Sequence, residues 1–141
     1  MDVVTPEKRS RMMAGIRSRN TKPEILVRKY LFSIGLRFRL HQKIGGVKPD
    51  LVLAKYKTCI FVHGCFWHRH NNCKLASSPK SNIEFWEKKF LSNISRDRKN
   101  LEALKSRGWK IGIIWECSVR GGQFRKFDYL QNLEKKEFWE I

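Results

Sequence analysis

Apolar and polar positions along this chain change period several times, and each change marks an element. Ile25, Leu26, Tyr30 and Phe32 fall at helical spacing. Thr21, Pro23 and Glu24 ahead of them have the form of a capping box with an early proline, and Gly35 ends the pattern. From Leu36 the period shortens: "LRFRLHQ" alternates, then "DLVLA" and "TCIFVH" are short β-rich runs parted by the turn-like "KYK", which predicts three strands. Ser81 and Glu84 suggest a second capping box. Ile83, Phe90, Leu91, Ile94, Leu101 and Leu104 then predict one apolar face on a long helix that stops at Gly108. "KIGIIW" follows as a buried strand, and the charged, aromatic tail over 127–141 is expected to close the chain as a helix.

Helix, three strands, long helix, strand is the order of an α/β domain with a mixed sheet, its last strand joined through a helical crossover. The 141 residues fit one domain spanning 1–141, with residues 1–20 a basic N-terminal helix or arm whose apolar cluster is Met12, Met13 and Ile16. In such a sheet Asp50 precedes one strand, His63 and Cys65 end another, and Cys117 follows the fourth, so these groups are expected at one shared edge.

Composition sharpens the picture. Hydrophobic residues make up 41% of the chain, with nine Phe, five Trp and three Tyr, enough for a core despite the charge. Thirty Lys and Arg against thirteen Asp and Glu give a formal net charge of +17, which points to a polyanionic partner, nucleic acid first. No apolar run approaches the ~18 residues of a membrane span, and four cysteines without a secretory signal read as thiols or metal ligands in a reducing cytoplasm.

Two clusters carry chemistry. "HGCFWHRHNNC" packs Cys65, His68, His70 and Cys73 together, and Cys117 follows a strand that can return to the same place. Zinc takes tetrahedral sulfur and nitrogen donors, and Cys65, His70, Cys73 and Cys117 form the candidate closed, structural set. Cys59 sits in the apolar run "CIFV" and reads as a small hydrophobe. Asp50, at a strand mouth after "GGVKP", suits magnesium, a hard ion that prefers oxygen, although a turn aspartate capping the strand reads equally well in isolation. His63 and His68, outside the zinc set, can exchange protons near neutrality.

"GGVKPD", "IFVHGCFWHRH", "C", "EFW", "RD" and "WEC", in this order, resemble the very-short-patch-repair (Vsr) DNA mismatch endonucleases over nearly the whole chain. The resemblance implies a restriction-endonuclease-like mixed sheet flanked by helices, a structural zinc, and magnesium-dependent nicking of one strand of double-stranded DNA beside a T:G mismatch left by 5-methylcytosine deamination. It further implies a functional link to a cytosine-5 DNA methyltransferase, a place among mismatch-repair proteins, a monomer, and a bacterial, nucleoid-associated setting. By the same resemblance Asp50 and the Val62 backbone carbonyl hold magnesium. Val62 stands where the family often has threonine, and the carbonyl contact survives that change. His63 and His68 match the active-site histidines. Cys65, His70, Cys73 and Cys117 match the zinc ligands, and Glu24 matches a glutamate that bonds the water shell of the metal, with helix capping as its other reading. Phe66, Trp67 and Trp86 correspond to a wedge pushed between base pairs, against ordinary core packing. Lys89 and Asn93 correspond to base-edge contacts, against a solvated helix face. Competing functions are a site-specific or restriction-type nuclease of the same fold without mismatch preference, and a non-catalytic zinc DNA-binding module.

Overall fold

The structure, a computed structural model, describes residues 20–141. The N-terminal helix or arm expected over 1–20 therefore lies, but for Asn20, outside the described residues. Helix α1 (Lys22–Ser33) starts where Thr21 accepts a hydrogen bond from the Glu24 backbone N–H, and it ends at Ile34 just before Gly35 (φ +93°). The capping box is only half formed, because the Glu24 carboxylate turns to the Asn20 N–H, Arg28 and His41.

A five-stranded sheet follows in spatial order β1-β2-β3-β4-β5. Strands β1 (Arg39–Leu40), β2 (Leu51–Leu53) and β3 (Thr58–His63) pair antiparallel, while β4 (Lys110–Trp115) lies parallel to β3 and β5 (Phe138–Glu140) parallel to β4. The long helix α2 (Ile83–Ser106) makes the crossover from β3 to β4. The mixed sheet and the helical crossover are as the order of elements predicted.

Side chains alternate across the central strands, as the pleat requires. Ile60, Val62 and Ile114 join Val27 and Leu31 of α1 on one face. Cys59, Phe61, Ile111 and Ile113 meet Leu104 of α2 on the other. Each fully buried Leu or Ile contributes about 1.5–3 kcal/mol of transfer free energy, so these two layers fix the sheet between the helices. No helix among the described residues is long and apolar enough to cross a membrane.

Four local expectations are corrected. The alternating run after Leu36 yields only the two residues of β1, because His41 takes a left-handed backbone (φ 52°) that breaks the extended chain. Ser81 does not cap α2; Asn82 precedes the helix in a left-handed conformation and no side chain caps it. On α2, Ile83, Leu91 and Ile94 are exposed, and the buried positions are Phe90, Asn93 and Leu104. The inward face is mixed because the helix lines a polar cleft as well as the core. The tail is a short helix α4 (Tyr129–Lys135) followed by strand β5, not one helix, and α3 (Glu116–Gly121) intervenes after β4.

β5 exists because Trp139 is buried while Phe138 and Glu140 face out, and Gly112 of β4 leaves the space its indole fills. A Cβ at Gly112 would lie inside the van der Waals envelope of that ring. Gly112→Ala should therefore cost about 1–3 kcal/mol and lower the thermal midpoint measured by circular dichroism. An unchanged midpoint would show that β5 does not brace the sheet.

Candidate active site and metal centre

Strand register brings the expected residues to one edge. His63 pairs with Trp115 at the parallel ends of β3 and β4, so Cys65 and Cys117, each two residues further on, emerge side by side. A tight turn after β3, held by His68 N–H to the Gly64 carbonyl and His70 N–H to the Cys65 carbonyl, returns the chain so that His70 stacks on the Trp115 indole at 4.0 Å. One donor atom each from Cys65, His70, Cys73 and Cys117 then lies within 4.8 Å of the others. The His70 Nδ1 is 3.6 Å from the Cys65 sulfur and 3.4 Å from that of Cys117.

Three sulfurs and one imidazole fit a tetrahedral thiophilic cation. Burial pushes the Cys65 thiol up to about 12, so a bare thiolate there is disfavoured and a cation is what would deprotonate it. Cys59 is fully buried in β3 and outside the cluster, as its apolar run indicated.

On the other side of β3, the antiparallel step to β2 sets Asp50 beside Val62, whose N–H donates to the Asp50 carboxylate at 2.7 Å. In a strand the N–H and C=O of one residue face the same neighbour, so the Val62 carbonyl also points to the Asp50 side, where no ladder partner stands among the described residues. Glu24 and His41 close this group, with Glu24, His41 and Asp50 donor atoms within 4.8 Å of one another. Two converging carboxylates and a backbone carbonyl are oxygen donors suited to a hard divalent cation. Burial and the Glu24 charge push Asp50 up to about 7, against the opposing pull of the Val62 N–H and Arg28.

The histidines form a second group. His63 and His68 stack at 3.9 Å with rings 5° from parallel, and His68 Nδ1 lies 2.6 Å from the Asp97 carboxylate. Burial, then the neighbouring His68, lowers His63 to about 3, so it is neutral at physiological pH. With Nδ1 engaged by Asp97, the His68 ring is held in one orientation and its other nitrogen is left for proton exchange. Asp97 and His41 received no role from the sequence. Asp97 lies four residues after Asn93 on α2, a spacing that places both on one helical face, while His41 was absorbed into an alternating run.

A cleft of about 580 Å³ joins these groups, lined by Glu24 and Asp50 on one wall and by Lys89, Asn93 and Asp97 of α2 on the other. At its rim Phe66, Trp67 and Trp86 are half-buried and pack mutually at 5.2–5.8 Å, with Phe90 beneath. Lys89 is exposed, whereas Asn93 is buried and its amide nitrogen donates to the Trp67 carbonyl at 3.1 Å.

Comparison with known proteins places this geometry. The family described as "DNA mismatch endonuclease Vsr" matches residues 1–75. A type II nicking enzyme of Neisseria meningitidis serogroup A, V.NmeAIP, is 48% identical over 119 residues, covering 84% of each chain. The DNA mismatch endonuclease Vsr of Escherichia coli K12 is 39% identical over 120 residues, covering 85% of this chain and 76% of its own. Among solved structures, the catalytic domain of homing endonuclease I-Bth0305I superposes with a TM-score of 0.54 at 19% identity, covering 84% of this chain and 98% of that domain. This last likeness shows the fold, a restriction-endonuclease-like mixed sheet flanked by helices.

Asp50 titrates near 7 in the folded protein and near 3.8 when unfolded, so between those values the fold holds a proton that the unfolded chain has lost. Stability of the metal-free protein should fall as pH rises from about 4 to 7 on this account. Asp50→Asn should raise its thermal midpoint by several degrees at pH 8 and leave it nearly unchanged at pH 4. An equal effect at both values would show that the carboxylate charge is not the cause.

Proposed function

This chain belongs to the Vsr family of DNA mismatch endonucleases and is a DNA endonuclease, and from that premise we propose that it nicks one strand beside a T:G mismatch by magnesium-dependent hydrolysis. The observation that carries the reading is the meeting in one cleft of Asp50, neutral His63 and the His68–Asp97 pair, with an aromatic rim above them. T:G pairs arise when 5-methylcytosine deaminates. The substrate thus links the enzyme to a cytosine-5 DNA methyltransferase and to other mismatch-repair proteins in a bacterial cytoplasm. A monomer suffices for a one-strand cut.

Asp50 and the Val62 carbonyl would hold magnesium, with Glu24 beside them bonding its water shell. Bound there, magnesium supplies positive charge against the phosphate oxygens as charge develops in the transition state. His68, oriented by Asp97, accepts the proton of the attacking water as its oxygen bonds phosphorus and the phosphorus–oxygen ester bond on the far side breaks. His63, kept neutral by burial, donates a hydrogen bond to the phosphate or to that water. Cys65, His70, Cys73 and Cys117 would hold a structural zinc, since all four positions are taken by protein.

Phe66, Trp67 and Trp86 would enter the base stack as a wedge. Unstacking costs a few kcal/mol and least at a mismatched step, so the insertion itself selects the mismatch. Lys89 offers its ammonium to base edges. Asn93, with its nitrogen engaged by Trp67, offers its carbonyl oxygen. The +17 charge draws DNA to the cleft.

Single-turnover nicking of otherwise identical T:G and fully paired duplexes, with and without magnesium, tests this. Wild type should cut only the T:G duplex and only with magnesium. His68→Ala should slow nicking roughly 100-fold and Asp97→Asn roughly 10-fold with DNA affinity retained. At limiting magnesium the rate should rise with pH through about 7 as Asp50 loses its proton. Equal cutting of both duplexes would favour a site-specific nuclease without mismatch preference, and no cutting of either would favour a zinc DNA-binding module.

A further inference from the structure

Arg69 lies between His68 and His70 but belongs to neither the proton-exchange pair nor the metal cluster. Its backbone is left-handed (φ 52°), an uncommon state for a residue with a Cβ. Its guanidinium donates to three backbone carbonyls: Ser77 at 3.0 Å, Ala76 at 3.2 Å and Phe66 at 3.4 Å. The guanidinium carbon also sits 4.1 Å from the Phe90 ring centroid and 5.6 Å from that of Phe66.

One side chain thus ties the start of the zinc loop to its far end and presses both onto the aromatic floor. The metal ligands bracket Phe66 in sequence, Cys65 preceding it and His70 coming four residues later, but its ring is not among the donors. Phe66 in turn meets Trp67, Trp86 and Phe90 at 5.2–5.5 Å, so whatever fixes Phe66 fixes the rim. A planar fork with five donors can serve three carbonyls while lying over a ring. A lysine ammonium can keep the charge over the ring but cannot reproduce the fork.

We infer that Arg69 is a positioning residue that holds the Phe66–Trp67 edge rigid for insertion and so sets the discrimination between mismatched and paired DNA. The inference rests on reading that edge as a wedge. A loosened wedge must be ordered at the moment of insertion, and that entropy opposes the favourable step at the mismatch. Affinity for paired DNA, which comes from phosphate contacts, is untouched.

The test uses duplexes carrying 2-aminopurine beside a T:G or a T:A pair, titrated with full-length protein in magnesium-free buffer, with the zinc content of each variant measured. Wild type should brighten the probe at T:G and not at T:A, reporting unstacking. Arg69→Ala should keep its zinc and its affinity for the paired duplex, lose most of the brightening, and prefer T:G over T:A about tenfold less than wild type. Arg69→Lys should recover part of both. Absence of brightening with wild type would overturn the wedge reading, and this inference with it. Brightening by wild type that Arg69→Ala matches in full would overturn the inference alone. So would loss of zinc from both variants, which would make Arg69 a strut of the metal loop.

Discussion

Both sites are placed by the parallel pairing of β3 with β4, which sets His63 opposite Trp115. Chain segments more than fifty residues apart end side by side there, and that alone lets Cys117 meet Cys65. From this one register the structure branches to two sites. Beyond the strand ends lies the thiol–imidazole cluster, and on the β2 side lies the carboxylate cleft. The segment between them is short, so His68 and His70 turn to opposite sites from positions two apart: His68 toward His63 and Asp97, His70 toward Trp115 and the thiols. A loop this rich in aromatics and sulfur buries little surface of its own, and a cation on its four converging donors would add to the hold that Arg69 has on its carbonyls.

Electrostatics in the cleft run against stability. Asp50 is pushed to about 7 by burial and by Glu24, and His63 to about 3 by burial and by His68, so both groups resist charge in the folded protein. Burying two such groups costs stability, and the rest of the fold has to supply it. The two core layers and the small strand β5 do so, with Trp139 packed into the gap at Gly112. Perturbed titration of this kind gathers at functional sites because the chemistry needs groups poised between protonation states.

Much of this was legible in the sequence because its signals are local. The period change after Gly35, the runs "TCIFVH" and "KIGIIW" and the placing of Asp50, His63, Cys65 and Cys117 at strand ends all follow from alternation and spacing. What escaped depends on tertiary partners. Nothing local tells that Ile83, Leu91 and Ile94 stay exposed while Asn93 is buried, because the inward face of α2 is chosen by a polar cleft and not by apolarity. Strand β5 needs the vacancy at Gly112, fifteen residues or more upstream of the tail. Asp97 gains its meaning only from His68, which is distant in sequence. Arg69 looks like one more surface cation until its three carbonyl partners are seen.

Metal bound at Cys65, His70, Cys73 and Cys117 would close the loop that carries both His68 and the aromatic rim. Elemental analysis of the purified protein, followed by stepwise removal of any bound metal with a thiol-reactive mercurial while nicking is assayed in excess magnesium, shows whether it does. One zinc per chain, with nicking of a T:G duplex lost in proportion to zinc released, is the expected result. A folded, zinc-free protein that nicks at the full rate would contradict it.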